Sequence, residues 1–249
     1  MVIKMKNEVI QRYIQGDTLV IVSSVRDVCE EMAEKQNLTL NGDYIALGSA
    51  AAFTAALAAE QKEDETYITA CFKWVGTKKL IAVTAFGDGR MCAYSDKFEP
   101  PKGIEGVILE VTRHSDVGGE YHSVVIGRNV QGAVNAYISE SMQRNAKWKV
   151  VRDGRMTVGI FAEELPGSSD LRKVWDSVKP FFRLLDEKEF EKAGCEKLGE
   201  SELTFGCHCS KRSAQRIIET LPKEERESLG PTAEVVCKFC GRKYEVENG

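Results

Sequence analysis

The chain has 249 residues, 43% of them hydrophobic and 29% charged, enough apolar material for one sizeable core and a small appendage, which excludes a disordered protein. Its net charge of −4 gives no general attraction for nucleic acid or anionic lipid. The N-terminal stretch is broken by Lys4, Lys6, Glu8 and Arg12, so it lacks the apolar centre of a secretion signal.

In chain order, Thr18 to Ser23 reads as a β-branched strand, and Ser24 is placed to cap a helix running through Gln36. A second helix spans Asp43 to Glu60. Its small residues Gly48, Ala51, Ala52, Ala55, Ala56 and Ala59 predict burial against a sheet or another helix. The same stretch falls short of the roughly 20 apolar residues that a membrane span needs, so no membrane association is predicted.

Strands follow at Thr66 to Val75, Leu80 to Phe86 and Arg90 to Tyr94, the last two joined by Gly87-Asp88-Gly89, read as a tight turn rather than a ligand loop. Gly106 to Arg113 and Glu120 to Ile126 form a further pair around Gly118-Gly119, Val130 to Met142 has helical spacing, and Trp148 to Arg152 meets Arg155 to Phe161 across Asp153-Gly154. The pattern is an α+β domain over residues 1–165 with a mixed or antiparallel sheet, and no dinucleotide-binding fingerprint follows any strand. His114, Ser115, Asp116 and His122 crowd one hairpin, but no hydrolase element accompanies them. They are read as solvated loop side chains, and the chain as no enzyme.

Beyond a Pro-Gly-Ser-Ser break, residues 166–203 are dense in charge and form a helical linker. Ser168 or Ser169 is the expected cap of a helix bearing Leu171, Val174, Trp175, Val178, Phe182 and Leu185, bent or divided at Pro180. Such a stripe is either an ordinary docked helix or a conditional cover, with Trp175 and Phe182 as candidate client contacts once exposed.

The segment 204–249 carries Cys207 and Cys209 as C-x-C and Cys237 and Cys240 as C-x-x-C. Two close pairs of thiolates are a common source of four tetrahedral zinc ligands. So short a segment has little core of its own, and structural zinc contributes on the order of 10–16 kcal/mol of apparent binding free energy. The thiolates are also redox nucleophiles, so the same constellation suits a clamp, an oxidant sensor or both. Cys237 and Cys240 can reach disulfide separation by forming a turn, whereas a Cys207 to Cys209 ring would be strained and readily reduced. Lys211, Arg212, Lys238, Arg242 and Lys243 lie beside these cysteines, placed to offset excess thiolate charge, though equally suited to the surface. Cys29, Cys71, Cys92 and Cys195 show no paired spacing and read as plain core or helix residues of a protein in a reducing cytoplasm.

The run FGCHCSKRSAQRIIETLPKEERESLGPTAEVVCKFCGRKYEV resembles the zinc-binding end of the redox-regulated heat-shock protein 33 holdase chaperones. Weaker similarity extends upstream through the alanine-rich helix, Phe86-Gly87-Asp88-Gly89, and Glu120-Tyr121 into Gly127. The resemblance implies an ATP-independent chaperone, inactive while Cys207, Cys209, Cys237 and Cys240 hold zinc. Oxidation would join Cys207 to Cys209 and Cys237 to Cys240, release the ion, unfold the connector, and let the molecule, often a homodimer, hold unfolding client proteins. Cys195 is an extra thiol against that pattern. The competing readings are a constitutive zinc-ribbon interaction module, with nucleic acid as one candidate partner, and a thiol oxidoreductase. The near-neutral C-terminal segment disfavours the first, and a C-x-x-C in a β knuckle rather than at a helix start disfavours the second.

Overall fold

The structure, a computed structural model, describes residues 9–38, 42–60, 66–96, 106–115, 119–153, 156–167, 170–182 and 187–248. Among these, the first sheet is built from β1 (Val9–Gln15), β2 (Thr18–Ser24), β8 (Ala146–Asp153), β9 (Met156–Glu164) and β10 (Glu196–Glu202), in the order β10-β1-β2-β9-β8. The second contains β3 (Tyr67–Trp74), β4 (Leu80–Phe86), β5 (Arg90–Ser95), β6 (Val107–Ser115), β7 (Gly119–Gly127) and the two-residue β11 (Thr204–Phe205), in the order β11-β5-β4-β3-β6-β7. Both are antiparallel except where β11 joins β5 in parallel. The architecture is the expected α+β one.

Helix α2 (Gly42–Ala59) lies between the sheets, against β2 and β9 on one side and β3 and β4 on the other. Its alanines make this possible. Ala50, Ala51, Ala52, Ala55, Ala56 and Ala58 are all buried, and their short side chains let two sheets close on one helix without leaving voids. Phe53 fills the centre, with edge contacts to Phe72, Tyr137 and Trp148 at ring distances of 6.5, 5.8 and 5.5 Å. Just beyond α2, Glu60 lies next to Glu163, and Arg144 reaches both, at 3.3 and 2.9 Å. Burial first, then the Glu163 charge, raises the Glu60 pKa to about 7.

Several local expectations change. Helix α1 (Arg26–Lys35) starts after Val25 without a side-chain cap; Ser24 is instead the last residue of β2, paired with Val158. The helix predicted over Val130 to Met142 is α-helical only as α3 (Val130–Ala136) and widens to a π turn over Tyr137–Met142, ending at Gln143 in the left-handed region. The Gly87-Asp88-Gly89 turn is confirmed as a turn. Gly89 has φ +89°, and the Glu202 carbonyl oxygen would lie 2.1 Å from any Cβ placed there, so glycine serves both the turn and a close backbone approach.

The connector stripe packs on the face of the first sheet that points away from α2. Leu171, Val174, Val178 and Phe182 form a second apolar cluster with Tyr13, Val20, Val22, Val158, Ile160 and Ala162. Helix α4 (Leu171–Val178) is capped by Asp170, whose carboxylate accepts from the Arg172 and Lys173 amides at 3.0 and 3.2 Å; Ser168, Ser169 and Leu185 lie outside the described residues. Pro180 falls in the 3₁₀ turn that ends this helix, and α5 (Glu187–Lys192) follows, with Phe190 stacked on Tyr13 at 4.9 Å. The segment then supplies β10, which pairs with β1. Neither β10 nor β1 was foreseen. The sequence of β10, EKLGESE, has an alternating exposed pattern and no apolar period, as suits a charged edge strand.

Candidate metal centre

The chain leaves β10 through Leu203, buried in the main core, and β11, where Thr204 pairs with Arg90 and Phe205 with Met91. The Thr204 amide donates to the Gly89 carbonyl at 3.1 Å and the Gly206 amide to the Met91 carbonyl at 2.9 Å. Cys207 and Cys209 therefore emerge from a backbone ladder fixed to the second sheet. Ser210 then caps α6 (Lys211–Thr220) by accepting from the Ser213 amide at 3.1 Å.

Cys237 and Cys240 occupy the turn between β12 (Thr232–Val236) and β13 (Lys243–Glu247), which pair in register from Thr232 and Glu247 to Val236 and Lys243. The Gly241 amide donates to the Cys237 carbonyl at 2.8 Å, and the Cys237 amide to the Arg242 carbonyl at 2.9 Å. This turn folds tightly because Gly241 takes φ +71°. Behind it, Ala214, Ile218, Ala233 and Val246 form the buried apolar cluster of the module, with the short helix α7 (Lys223–Ser228) exposed at its edge.

These two pieces bring the four predicted residues together. The sulfurs of Cys207, Cys209, Cys237 and Cys240 all lie within 4.8 Å of one another. Cys207 is 3.7 Å from Cys237 and Cys209 is 3.4 Å from Cys240, with all four thiols free. Four thiolates tetrahedrally arranged at about 2.3 Å from zinc sit about 3.8 Å apart, so the cluster fits such an ion with little adjustment. The Tyr244 hydroxyl lies 3.2 Å from the Cys209 sulfur and donates to the Cys209 carbonyl at 3.0 Å.

The electrostatics point the same way. Hydrogen bonding with Cys92 and then burial push the Cys207 pKa up; burial raises that of Cys237, and burial with thiol contacts lifts Cys240 to about 12. Cys209 is the exception. Burial opposes its ionisation, but hydrogen bonds from Tyr244, Cys240, Cys207 and Cys237 outweigh it and bring the pKa down to about 7. Crowded sulfurs resist shared ionisation until a cation joins them. Of the basic residues named from the sequence, Arg242 is held charged by Tyr244, Cys209 and Cys240. Lys243 instead pairs with Glu234 at 3.0 Å, Lys238 lies 5.2 Å over the Tyr94 ring, and Lys211 and Arg212 are exposed.

The module docks on the outer face of the second sheet. His208 lies between the two cysteines of the C-x-C pair, with its ring 5.5 Å from both Tyr67 and Phe86, and Phe239 lies 6.5 Å from Tyr94. Loss of hydration on the packed side lowers the His208 pKa. His114 stacks on Tyr67 at 4.1 Å, and His122 is 3.1 Å from the Thr112 hydroxyl. These two histidines are thus strand residues on the sheet face rather than loop side chains; Asp116 lies outside the described residues. Cys92, read from the sequence as a plain core residue, is indeed fully buried in β5, though outside the main core cluster. Its neighbours Met91 and Ala93 do face that core.

Comparison with known proteins matches residues 10–247 to the family model described as Hsp33 protein. Curated relatives named 33 kDa chaperonin include one from Streptococcus sanguinis, 26% identical over 255 residues covering 86% of this chain and 87% of the relative. Another from Streptococcus pyogenes serotype M3 is 25% identical, covering 86% of both. For the one from Nitrosococcus oceani, 26% identical, the alignment spans 56% of this chain and about half, 54%, of the relative. In fold, the chain matches the crystal structure of the 33 kDa chaperonin from Thermotoga maritima, with a TM-score of 0.77 at 18% identity, over 98% of this chain and 96% of the other.

Proposed function

The chain belongs to the Hsp33 family, and on that footing we propose that this chaperone is a redox-regulated, ATP-independent holdase, with Cys207, Cys209, Cys237 and Cys240 as both zinc ligands and redox-active thiols. The observation that carries this reading is the gathering of four sulfurs within 4.8 Å in a module whose own buried apolar cluster is Ala214, Ile218, Ala233 and Val246. Bound zinc would keep the four sulfurs as thiolates and fasten the β12/β13 turn to the C-x-C strand. Oxidation of Cys207 with Cys209 and of Cys237 with Cys240 takes two electrons from each pair and removes every ligand. A module of this size then has too little apolar burial to stay folded.

Functionally we divide the chain into a chaperone core over 1–165, a linker over 166–203 and a switch module over 204–249. Release of the linker stripe would bare Val20, Val22, Val158, Ile160 and Ala162 on one sheet, together with Trp175 and Phe182 of the linker itself. Phe182 is only 3% exposed in the described state, which suits a surface hidden until activation. Partially unfolded clients are the proposed partners, homodimerisation accompanies activation, and the proposed setting is the reducing cytoplasm. Among the described residues no helix is long and apolar enough to cross a membrane.

The test treats reduced, zinc-loaded protein with peroxide at mild heat, or with hypochlorite, while zinc release, free thiols and suppression of client aggregation are followed together. The expected result is loss of four thiols and the ion alongside a gain of holdase activity. Zinc release with no such gain rejects the switch and favours a constitutive zinc-ribbon module.

A further inference from the structure

Among the described residues the two large sheets have four edges, and three are guarded against pairing with another chain. β10 reads EKLGESE, and its register against β1 shifts between Arg12 and Tyr13. β8 carries Lys147, Lys149 and Arg152, and β11 is two residues long. Charge, irregularity and shortness are the usual means of blunting an open ladder. β7 is the exception. It reads GEYHSVVIG, nine residues without lysine, arginine or proline, in unbroken register with β6 from Gly119 to Gly127. No described strand pairs with its other side. Val125 turns into the main core, so Val124 and Ile126 point to the outer face, where they are 55% and 61% exposed.

The strand is also complementary to itself. Two identical strands pair antiparallel about a two-fold axis, so opposed residues have numbers with a constant sum. With the axis at Val124, that residue meets its own copy, Ile126 of one chain meets His122 of the other, and Glu120 meets Arg128, the residue directly after the strand. The last contact occurs twice, once on each side of the axis. The Glu120 side chain is 61% exposed, with His114 Nδ1 at 3.7 Å, and Arg128 is exposed. Opposite charges at directly opposed positions stabilise a strand pair, and like charges weaken it. Moving the axis to Ser123 sets Glu120 against Ile126, and moving it to Val125 sets Glu120 against Val130. An axis between residues turns the outer face of one copy to the side of the other's inner face. The Val124 axis alone aligns both faces and both charges.

We propose that the β7 edge is a self-association surface, at which a second copy of this chain pairs antiparallel about Val124 and joins two six-stranded sheets into one. The proposal deepens the functional reading by naming the contact of its homodimer, and it rests on that reading for the partner. β7 is open with the C-terminal module docked, so the contact is available before oxidation as well as after it. Ladder hydrogen bonds supply its strength, while the paired Glu120 and Arg128 fix its register and make it sensitive to salt.

The experiment follows sedimentation velocity of the full chain over a concentration series, reduced and zinc-loaded and again after peroxide, with zinc content and thermal melts reporting that each variant is folded. Wild type is expected to approach twice the monomer mass as concentration rises. Glu120→Arg alone and Arg128→Glu alone each place like charges in both cross-strand pairs and should weaken association by about tenfold or more; combining the two should restore it. Val124→Lys, which installs the missing guard at the axis, should hold the chain monomeric. If wild type dimerises but Val124→Lys does so equally well, or the double charge swap recovers nothing, the homodimer reading stands and the β7 contact fails. If wild type is monomeric in both states at every concentration, the contact and the homodimer reading fail together. If it is monomeric and Val124→Lys also loses holdase activity, the edge takes an extended client segment, and its assignment to a second copy is overturned.

Discussion

The space between the two large sheets and the C-terminal module are held together by different physics. Between the sheets, α2 and its neighbours bury Phe53, Phe72, Leu47, Leu57, Ile68 and Ile81 essentially completely, and each fully buried side chain of this size contributes about 1.5–3 kcal/mol. In the module the buried cluster is two alanines, Ile218 and Val246, and the four clustered sulfurs are the proposed source of the rest. Apolar burial weakens gradually as residues are trimmed. The proposed metal clamp would be present or absent, and an oxidant could remove it. The contrast teaches how, on the proposed reading, one chain would keep a stable scaffold and still answer sharply to redox chemistry.

The largest expected effect breaks the module alone. Cys237→Ser with Cys240→Ser should abolish stoichiometric zinc binding and forfeit most of the roughly 10–16 kcal/mol associated with a structural site, while Cys29→Ser leaves metal content unchanged. Amide exchange should then show β12 and β13 unprotected and α2 still protected; loss of protection in α2 as well would mean the two regions are not separately held. Phe53→Ala should do the reverse, costing the whole fold about 3–5 kcal/mol in denaturant melts while reduced protein still binds zinc.

Leu171→Ala probes the surface between these extremes. Removing a buried linker side chain is expected to cost about 2–5 kcal/mol, felt first as linker release, so holdase activity should appear at a lower oxidant dose; an unchanged dose response would show that linker docking does not set the threshold. The smallest effect is electrostatic. Glu60 has a folded pKa raised from the usual 4.5 to about 7, so its burial costs nothing below pH 4.5 and an increasing amount as pH rises to about 7, after which the cost is constant. Glu60→Gln should therefore stabilise the core by about 1–2 kcal/mol at pH 8.5 and not at pH 4.5. Equal melting shifts at both values would refute the assignment.

How far the sequence could be read tracks the strength of each local signal. The C-x-C and C-x-x-C pairs have only a few ways to be arranged, and the structure brings all four thiols into one cluster. The alanine-rich helix announces close packing through composition alone. By contrast, β10 is a charged edge strand whose partner, β1, is far away in sequence, and its pairing leaves no apolar period to detect. β11 is two residues long. The cap of α4 was misplaced because Asp170 and the serines before it are equally good caps by residue type, and only backbone geometry selects among them.

The pairing of β10 with β1 also sets the geometry of any linker release. Because the linker leaves the first sheet at Glu164 and re-enters it at Glu196, a melted linker is a closed loop of roughly 30 residues rather than a trailing tail, and closure trims its entropy gain by about (3/2)RT ln n. Such a loop can arch over the bared sheet but cannot drift away from it. Anything captured there would be gripped between a rigid floor and a strap moored at both ends.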